Sequence, residues 1–172
     1  MRWLARVPAG ASMLDLASGA GRHALPAAVL GLKVTAVDRD ADALASLASK
    51  GIETVLADLE GAAWPLATRR FDVVLTTHYL HRPLFEAIIA SVEVDGVLIY
   101  ETFADGQQAY GRPQRAKFLL QPGELVERVR GLHVLGFEDG VADGSHGVAR
   151  VQRIAATRLG SEARWTLERW WL

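Results

Sequence analysis

The sequence contains no cysteine. That excludes a disulfide framework, a thiolate metal site and a cysteine nucleophile. It also fits a cytoplasmic location, where disulfides are rare. An excess of one charge is missing too: 19 basic against 20 acidic residues leave a formal net charge of −1. A nucleic-acid partner is therefore not expected, because such binders carry a basic excess on one face. Arginine outnumbers lysine by 16 to 3, but the densest basic pair is only Arg69-Arg70. No apolar run approaches the roughly 20 residues of a membrane span. Residues 1–6 lack the apolar core of a signal peptide. There is no internal repeat or low-complexity tract. What remains is ordinary globular composition, with 172 residues, 50% hydrophobic and 23% charged. That is one domain's worth of chain, with enough apolar mass to bury a core.

Short apolar runs alternate with helical patterns along the chain. Strands are expected at 12–16, 33–38, 53–58, 71–77 and 96–102, with helices at 22–30, 41–50 and 84–92 between them. This is the signature of β-α-β units and an α/β doubly wound, mostly parallel sheet. A long loop follows at 104–122, punctuated by Gly106, Gly111, Pro113 and Pro122. A short helix is expected at 124–131. Two late strands at 133–137 and 148–157 are separated by the turn-rich segments 138–140 and 143–145. Their connection is too short for a helical crossover, so they should pair antiparallel. The single domain then spans 1–160, and 161–172 forms a Trp-rich tail.

The most informative segment is Gly19-x-Gly21-x-x-Ala24, which directly follows a strand and opens a helix. Glycine there lets backbone approach a ligand closely, and the helix start offers free N–H groups. Asp15, Asp38 and Asp58 stand at the tips of three consecutive expected strands. Ligands of open α/β sheets bind at those tips. Asp38, 19 residues after Gly19, can accept both hydroxyls of a ribose. Asp58 can accept from an adenine amino group. The plainer reading of each acid is a helix cap or a solvated strand end. A nicotinamide-dependent oxidoreductase would share the glycines and Asp38. It would rarely carry an acid four residues before the first glycine. The Tyr-x-x-x-Lys pair of short-chain dehydrogenases is absent, since Tyr79, Tyr100 and Tyr110 are followed at that spacing by Pro83, Ala104 and Gln114.

Asp15-x-Ala17-x-Gly19-x-Gly21 resembles the first motif of the class I S-adenosylmethionine-dependent methyltransferases, with Ala17 in place of a glycine. Ala36-Val37-Asp38-Arg39-Asp40 and Ala57-Asp58-Leu59-Glu60 are similar to their second and third motifs. The run Gly19-Ala20-Gly21-Arg22-His23-Ala24 resembles the tellurite-resistance and related small-molecule branch. The resemblance implies a Rossmann-like seven-stranded sheet of order 3-2-1-4-5-7-6, with the last strand antiparallel. It implies S-adenosyl-L-methionine as cofactor. Asp15 and the loop of Ala17, Ser18, Gly19 and Gly21 would hold its amino-acid end, and Arg22 would reach its carboxylate. Asp38 would take the ribose and Asp58 the adenine, flanked by Arg39 and Leu59. Thr77 would close the site from the fourth strand.

The same resemblance places the tip of the fourth strand, Thr76-Thr77-His78-Tyr79-Leu80-His81, beside the transferred methyl. His78 and His81 are candidate bases, since histidine titrates near neutrality. Tyr79 is a candidate to bind substrate or line the methyl channel. The plainer reading is that His81 starts the next helix and His78 packs under the cofactor. Glu101 and Phe103 at the fifth strand's tip, and Tyr110 and Arg112 in the long loop, are expected to face the substrate, with the loop closing over it. No metal is expected, because His78-x-x-His81 lacks further ligands at suitable spacing. No Asn-Pro-Pro-Tyr-like run follows the fourth strand, which argues against amide or adenine-amine methylation in nucleic acids or proteins; the acceptor expected is a small molecule of the thiol, oxyanion or phenol class. A binding domain without catalysis is the alternative. The tail, with three of five tryptophans, reads as a cover for the domain's own edge, with a homodimer contact as the alternative and a membrane contact disfavoured by its balanced charges.

Overall fold

The computed structural model describes residues 4, 7–144 and 147–160. Expectations for the tail lie outside the described residues. Seven strands form one sheet: β1 (Ser12–Leu16), β2 (Lys33–Asp38), β3 (Glu53–Leu56), β4 (Phe71–Thr77), β5 (Val92–Phe103), β6 (His133–Gly144) and β7 (Gly147–Thr157). Their order is β3-β2-β1-β4-β5-β7-β6, as expected. The first five pair in parallel, while β7 runs antiparallel to both β5 and β6. Helices α1 (Ala24–Val29), α2 (Ala41–Ala48), α3 (Phe85–Ala90) and α4 (Glu124–Arg128) complete the chain.

The central strands are apolar on both faces because both faces are covered. Met13 and Val73 point into one core with Leu44 and Leu47 of α2, while their neighbours Leu14 and Val74 point into the other with Phe85 and Ile88 of α3. The period-2 alternation of a strand thus divides one apolar run between two cores. Helix α2 starts where expected: the Asp40 side chain accepts from the backbone N–H groups of Asp42 and Ala43, at 3.1 and 3.0 Å.

The helices are each a few residues shorter than expected, and three strand boundaries differ in ways that matter. β3 ends at Leu56, so Asp58 lies in the loop just beyond the strand. β5 begins at Val92, which was assigned to the preceding helix. The apolar face of Phe85, Ile88 and Ile89 extends by spacing to Val92, but Val92-Glu93-Val94-Asp95 also alternates with period 2. Burial of Val92 opposite Phe71 decides for the strand. The segment 138–140, read as a turn, lies inside the 12-residue β6. Its turn-type residues serve as cross-strand partners instead: Glu138 opposite Arg153, and Asp139 opposite Gln152.

Candidate functional site

The turn after β1 arches over the tips of the sheet. Ala17, Gly19 and Gly21 all have positive φ, at 54°, 51° and 80°. Glycine adopts this region freely, whereas Ala17 does so at a cost in strain. At Gly21 space matters as well as angle, because a Cβ there would lie 2.3 Å from Leu47 Cδ2. The arch is tied to β2 by Asp38, whose Oδ2 accepts from the Gly19 N–H at 2.7 Å. Asp38 Oδ1 accepts from Asp40 N–H at 3.0 Å. Beneath the arch Asp15 is only 2% exposed. Burial pushes its carboxyl up to about 7, against the N–H of Ala24 and the charge of Arg22. Asp15 Oδ2 and Ser18 Oγ are buried and have no hydrogen-bond partner among the described residues.

On one side of the arch lies a cleft of about 170 Å³, lined by Ala17, Asp38, Arg39, Asp58, Leu59 and Tyr79 with Ala57 and Glu60. The four cofactor residues expected for ribose and adenine therefore do converge. Asp58 Oδ1 accepts from Glu60 N–H at 3.0 Å, leaving its other oxygen for a ligand. Tyr79 closes this cleft. Its hydroxyl is buried without a partner among the described residues, and burial, with Glu60 and Asp58 nearby, pushes it up to about 12.

A separate cavity of about 570 Å³ begins at Arg22 and His23, just past the arch in sequence. Leu75, Ile99, Phe103 and Val151 give it apolar walls, Arg22, Glu101, Arg112 and Arg153 give it charge, and the His78 ring lies among them. Strand register explains the charged row: Thr77 pairs with Glu101, and Glu101 pairs with Arg153, so three neighbouring strands present them side by side. His78 follows Thr77 and turns back over the row, with φ 54° and its N–H bonded to Glu101 O at 2.9 Å. Its ring stacks on Phe103 at 4.8 Å. Nε2 lies 3.4 Å from Glu101 Oε1, and Nδ1 lies 3.3 Å from an Arg22 guanidinium nitrogen. Arg22 also donates to Thr77 Oγ1 at 3.2 Å. Glu101 is ion-paired with Arg153. The hydrogen bond from His78, with Arg153 beside it, holds the Glu101 carboxyl down at about 2 despite its burial. A further cavity shares Tyr79 with the cleft and His78, Phe103 and Arg112 with the large cavity.

His81 is not brought to this site. It lines none of these cavities and occupies the cap position of the 3-10 turn Arg82–Leu84. Tyr110 and Arg112 do line the large cavity. The loop that carries them is pinned, rather than hanging free as a lid. Leu120 bridges Ala104, and Arg82 binds Glu124 at 2.8 Å while donating to the carbonyls of Lys117 and Leu119. Gln107, only 3% exposed, donates to Arg112 O at 3.1 Å and accepts from Arg150 N–H at 2.7 Å. Sequence reading missed Gln107, Arg82 and Arg153 as organisers. A buried glutamine inside a loop is the one local signal, and burial is not visible in sequence. Among the described residues no cluster of His, Cys, Asp or Glu is placed to hold a metal ion.

The buried, unpartnered oxygens of Asp15 and Ser18, and the acid-lined cleft beside them, suit a ligand with a cationic amino-acid end and a nucleoside end. Residues 13–94 match a methyltransferase domain family. The chain is similar to the crystal structure of TehB from Haemophilus influenzae, with a TM-score of 0.71 and 19% identity, covering 87% of this chain and 58% of that one. It thus spans a little over half of TehB's length. It is also similar to a TehB-like SAM-dependent methyltransferase from Corynebacterium glutamicum, with a TM-score of 0.62 and 18% identity over 90% of this chain and 86% of that one. A SAM-dependent methyltransferase from Methanosarcina mazei gives a TM-score of 0.68 and 14% identity over 90% and 95% of the two chains. No curated protein matches. At such identities the structural likenesses bear on the fold alone, and together with the domain match they show that this chain has the class I fold of the S-adenosylmethionine-dependent methyltransferases.

Proposed function

We propose that the chain transfers a methyl group from S-adenosylmethionine to a small molecule. One observation carries this reading: an acid-lined cleft beside the glycine arch and a larger mixed cavity are bridged by a third cavity, which takes Glu60 and Tyr79 from the cleft and His78, Phe103 and Arg112 from the large cavity. Each Asp38 oxygen accepts one backbone N–H and keeps capacity for a ribose hydroxyl. Asp58, Arg39 and Leu59 are the adenine contacts. Asp15 Oδ2 and Ser18 Oγ offer acceptors to the ammonium, and Arg22 offers its guanidinium to the carboxylate. The cofactor brings an electrophilic methyl, so the chain's task is to orient an acceptor in line and to exclude water. Phe103, Ile99 and Leu75 supply the dry wall. A cavity of about 570 Å³ suits a small acceptor, and a net charge of −1 gives no support to a polymer of phosphates.

Calorimetry tests the reading. S-adenosylmethionine and S-adenosylhomocysteine should bind, and NADH should not. Asp38→Ala should weaken binding by about 1–3 kcal/mol, the range for losing hydrogen bonds to a charged group. An unchanged dissociation constant would remove Asp38 from the ribose, and binding of NADH alone would reject the function.

A further inference from the structure

We propose that His78 takes the proton of the methyl acceptor at Nδ1, with Glu101 as its positioning residue, so that the site is built for hydroxyl and thiol acceptors. The inference rests on the methyltransferase reading above and names the acceptor class within it.

The protonation pattern of His78 follows from its neighbours. An ionised carboxylate can only accept hydrogen bonds, and a guanidinium can only donate them. Glu101 is ionised, and it faces Nε2; Arg22 faces Nδ1. The proton therefore sits on Nε2 and the lone pair on Nδ1. The two neighbours thus favour one arrangement of the ring, with Nε2 toward the carboxylate and Nδ1 toward the guanidinium. Stacking on Phe103 sets the plane of the ring, and the backbone bond from His78 N–H to Glu101 O sets its distance from the carboxylate. Glu101 is itself held by Arg153, which also reaches Glu138 at 3.4 Å. A base oriented by an anchored carboxylate is an arrangement that stabilises the imidazolium formed on proton uptake. His23 also lines the cavity, but its Nε2 is buried and it makes no hydrogen bond or ion pair with the Glu101–Arg153 pair among the described residues.

Arg22 caps the working nitrogen. The cap is weak: 3.3 Å is long for this bond, and the Arg22 side chain is exposed. A carboxylate entering the site draws the guanidinium away and uncovers Nδ1. Oxyanions already carry the lone pair that attacks and need no base. A hydroxyl or thiol does need one. In the step, the acceptor's oxygen or sulfur forms a bond to the methyl carbon. The bond from that carbon to the donor sulfonium breaks, and its electron pair returns to sulfur. The acceptor's proton passes to Nδ1 of His78 and from there to water.

Long-range ¹H–¹⁵N NMR of histidine-labelled, ligand-free protein reads the tautomer directly, with His78→Asn assigning the signal. A neutral ring protonated at Nε2 is expected. A ring protonated at Nδ1, or an imidazolium at neutral pH, overturns the proposal. Methyl transfer is then measured with catechol, thiophenol and tellurite. Catechol or thiophenol should be methylated. His78→Asn should lower kcat by roughly 100-fold or more, the usual worth of general-base catalysis. Glu101→Gln should lower kcat about tenfold while changing KM little, and Glu101→Asp should recover part of the loss. Transfer to tellurite alone, transfer to none of the three, or a His78→Asn variant as fast as wild type overturns it. Binding of S-adenosylhomocysteine to wild type, measured alongside, separates the two failures: its absence rejects the methyltransferase reading, and its presence confines the failure to His78.

Discussion

Replacing Asp15 with asparagine tests whether the buried carboxyl carries the cost its position implies. Burial pushes Asp15 from 3.8 up to about 7. Between those values the folded chain holds a proton that the unfolded chain has released. Stability from this group is therefore complete at low pH and is lost as pH rises through about 7. Linkage arithmetic on that shift gives a loss of about 2–3 kcal/mol between about pH 5 and about pH 8. Asparagine accepts the same Ala24 N–H and has no charge to bury, so Asp15→Asn should lack this slope. The assay is urea unfolding of both chains at about pH 5, 6.5 and 8. The stability of the variant relative to wild type should climb by about 2–3 kcal/mol across the series. Taking the difference matters, because His23, whose pKa is lowered by burial and by Arg22, gives both chains an opposite slope at the acid end. Parallel profiles, within roughly 0.5 kcal/mol, would refute the reasoning. Saturating S-adenosylmethionine should flatten the wild-type slope, since an ammonium beside Oδ2 offsets the buried charge.

Other perturbations read different parts of the arch and its supports. Ala17→Gly relieves a positive φ and should raise stability by up to about 1 kcal/mol, the left-handed penalty less the extra freedom of the unfolded chain; a fall in urea midpoint would count against strain at Ala17. Gly21→Ala drives a Cβ into the buried Leu47 side chain at positive φ and should cost about 2–4 kcal/mol, seen as a lower Tm. Burial raises the Glu124 carboxyl, but Arg82, the Gln121 N–H and Arg128 outweigh it and hold it down at about 2. Its contribution is present above the ordinary 4.5 and should be lost as pH falls toward 2; Glu124→Gln should remove that acid limb, and an unchanged limb would place it elsewhere.

The parallel half of the fold was legible because each of its elements is specified locally. The runs 12–16, 33–38 and 71–77 are strands at those residues, and Asp40 caps α2 as its position suggests. Misreadings arose where two local codes overlapped. Val92 continues the spacing of α3 and also begins the alternation of β5, and only its burial against Phe71 separates the two. Glu138, Asp139 and Gly140 have turn-like composition, yet β7 supplies Arg150, Arg153 and Gln152 opposite or beside them. Pairing between strands overrode composition there.

The same distinction divides the site. The acid-lined cleft was legible because its acids sit at or just beyond strand tips, so Asp38, Asp58 and Ala17 converge once the strand order is known. The lining residues His78, Glu101, Phe103, Tyr110 and Arg112 of the larger cavity were legible as well, but their mutual contacts were not, because these are set by register across strands. Glu101 meets Arg153 only because β5 and β7 run antiparallel with those two residues opposite each other. His78 reaches Glu101 only because the chain leaves β4 with a positive φ. A one-residue slip in β7 would turn Arg153 to the other face of the sheet and leave Glu101 without its anchor. The Glu101–Arg153 pair therefore depends on the β6–β7 hairpin, far in sequence from the glycine arch, and substitutions that disturb hairpin register should change acceptor turnover before they change cofactor binding.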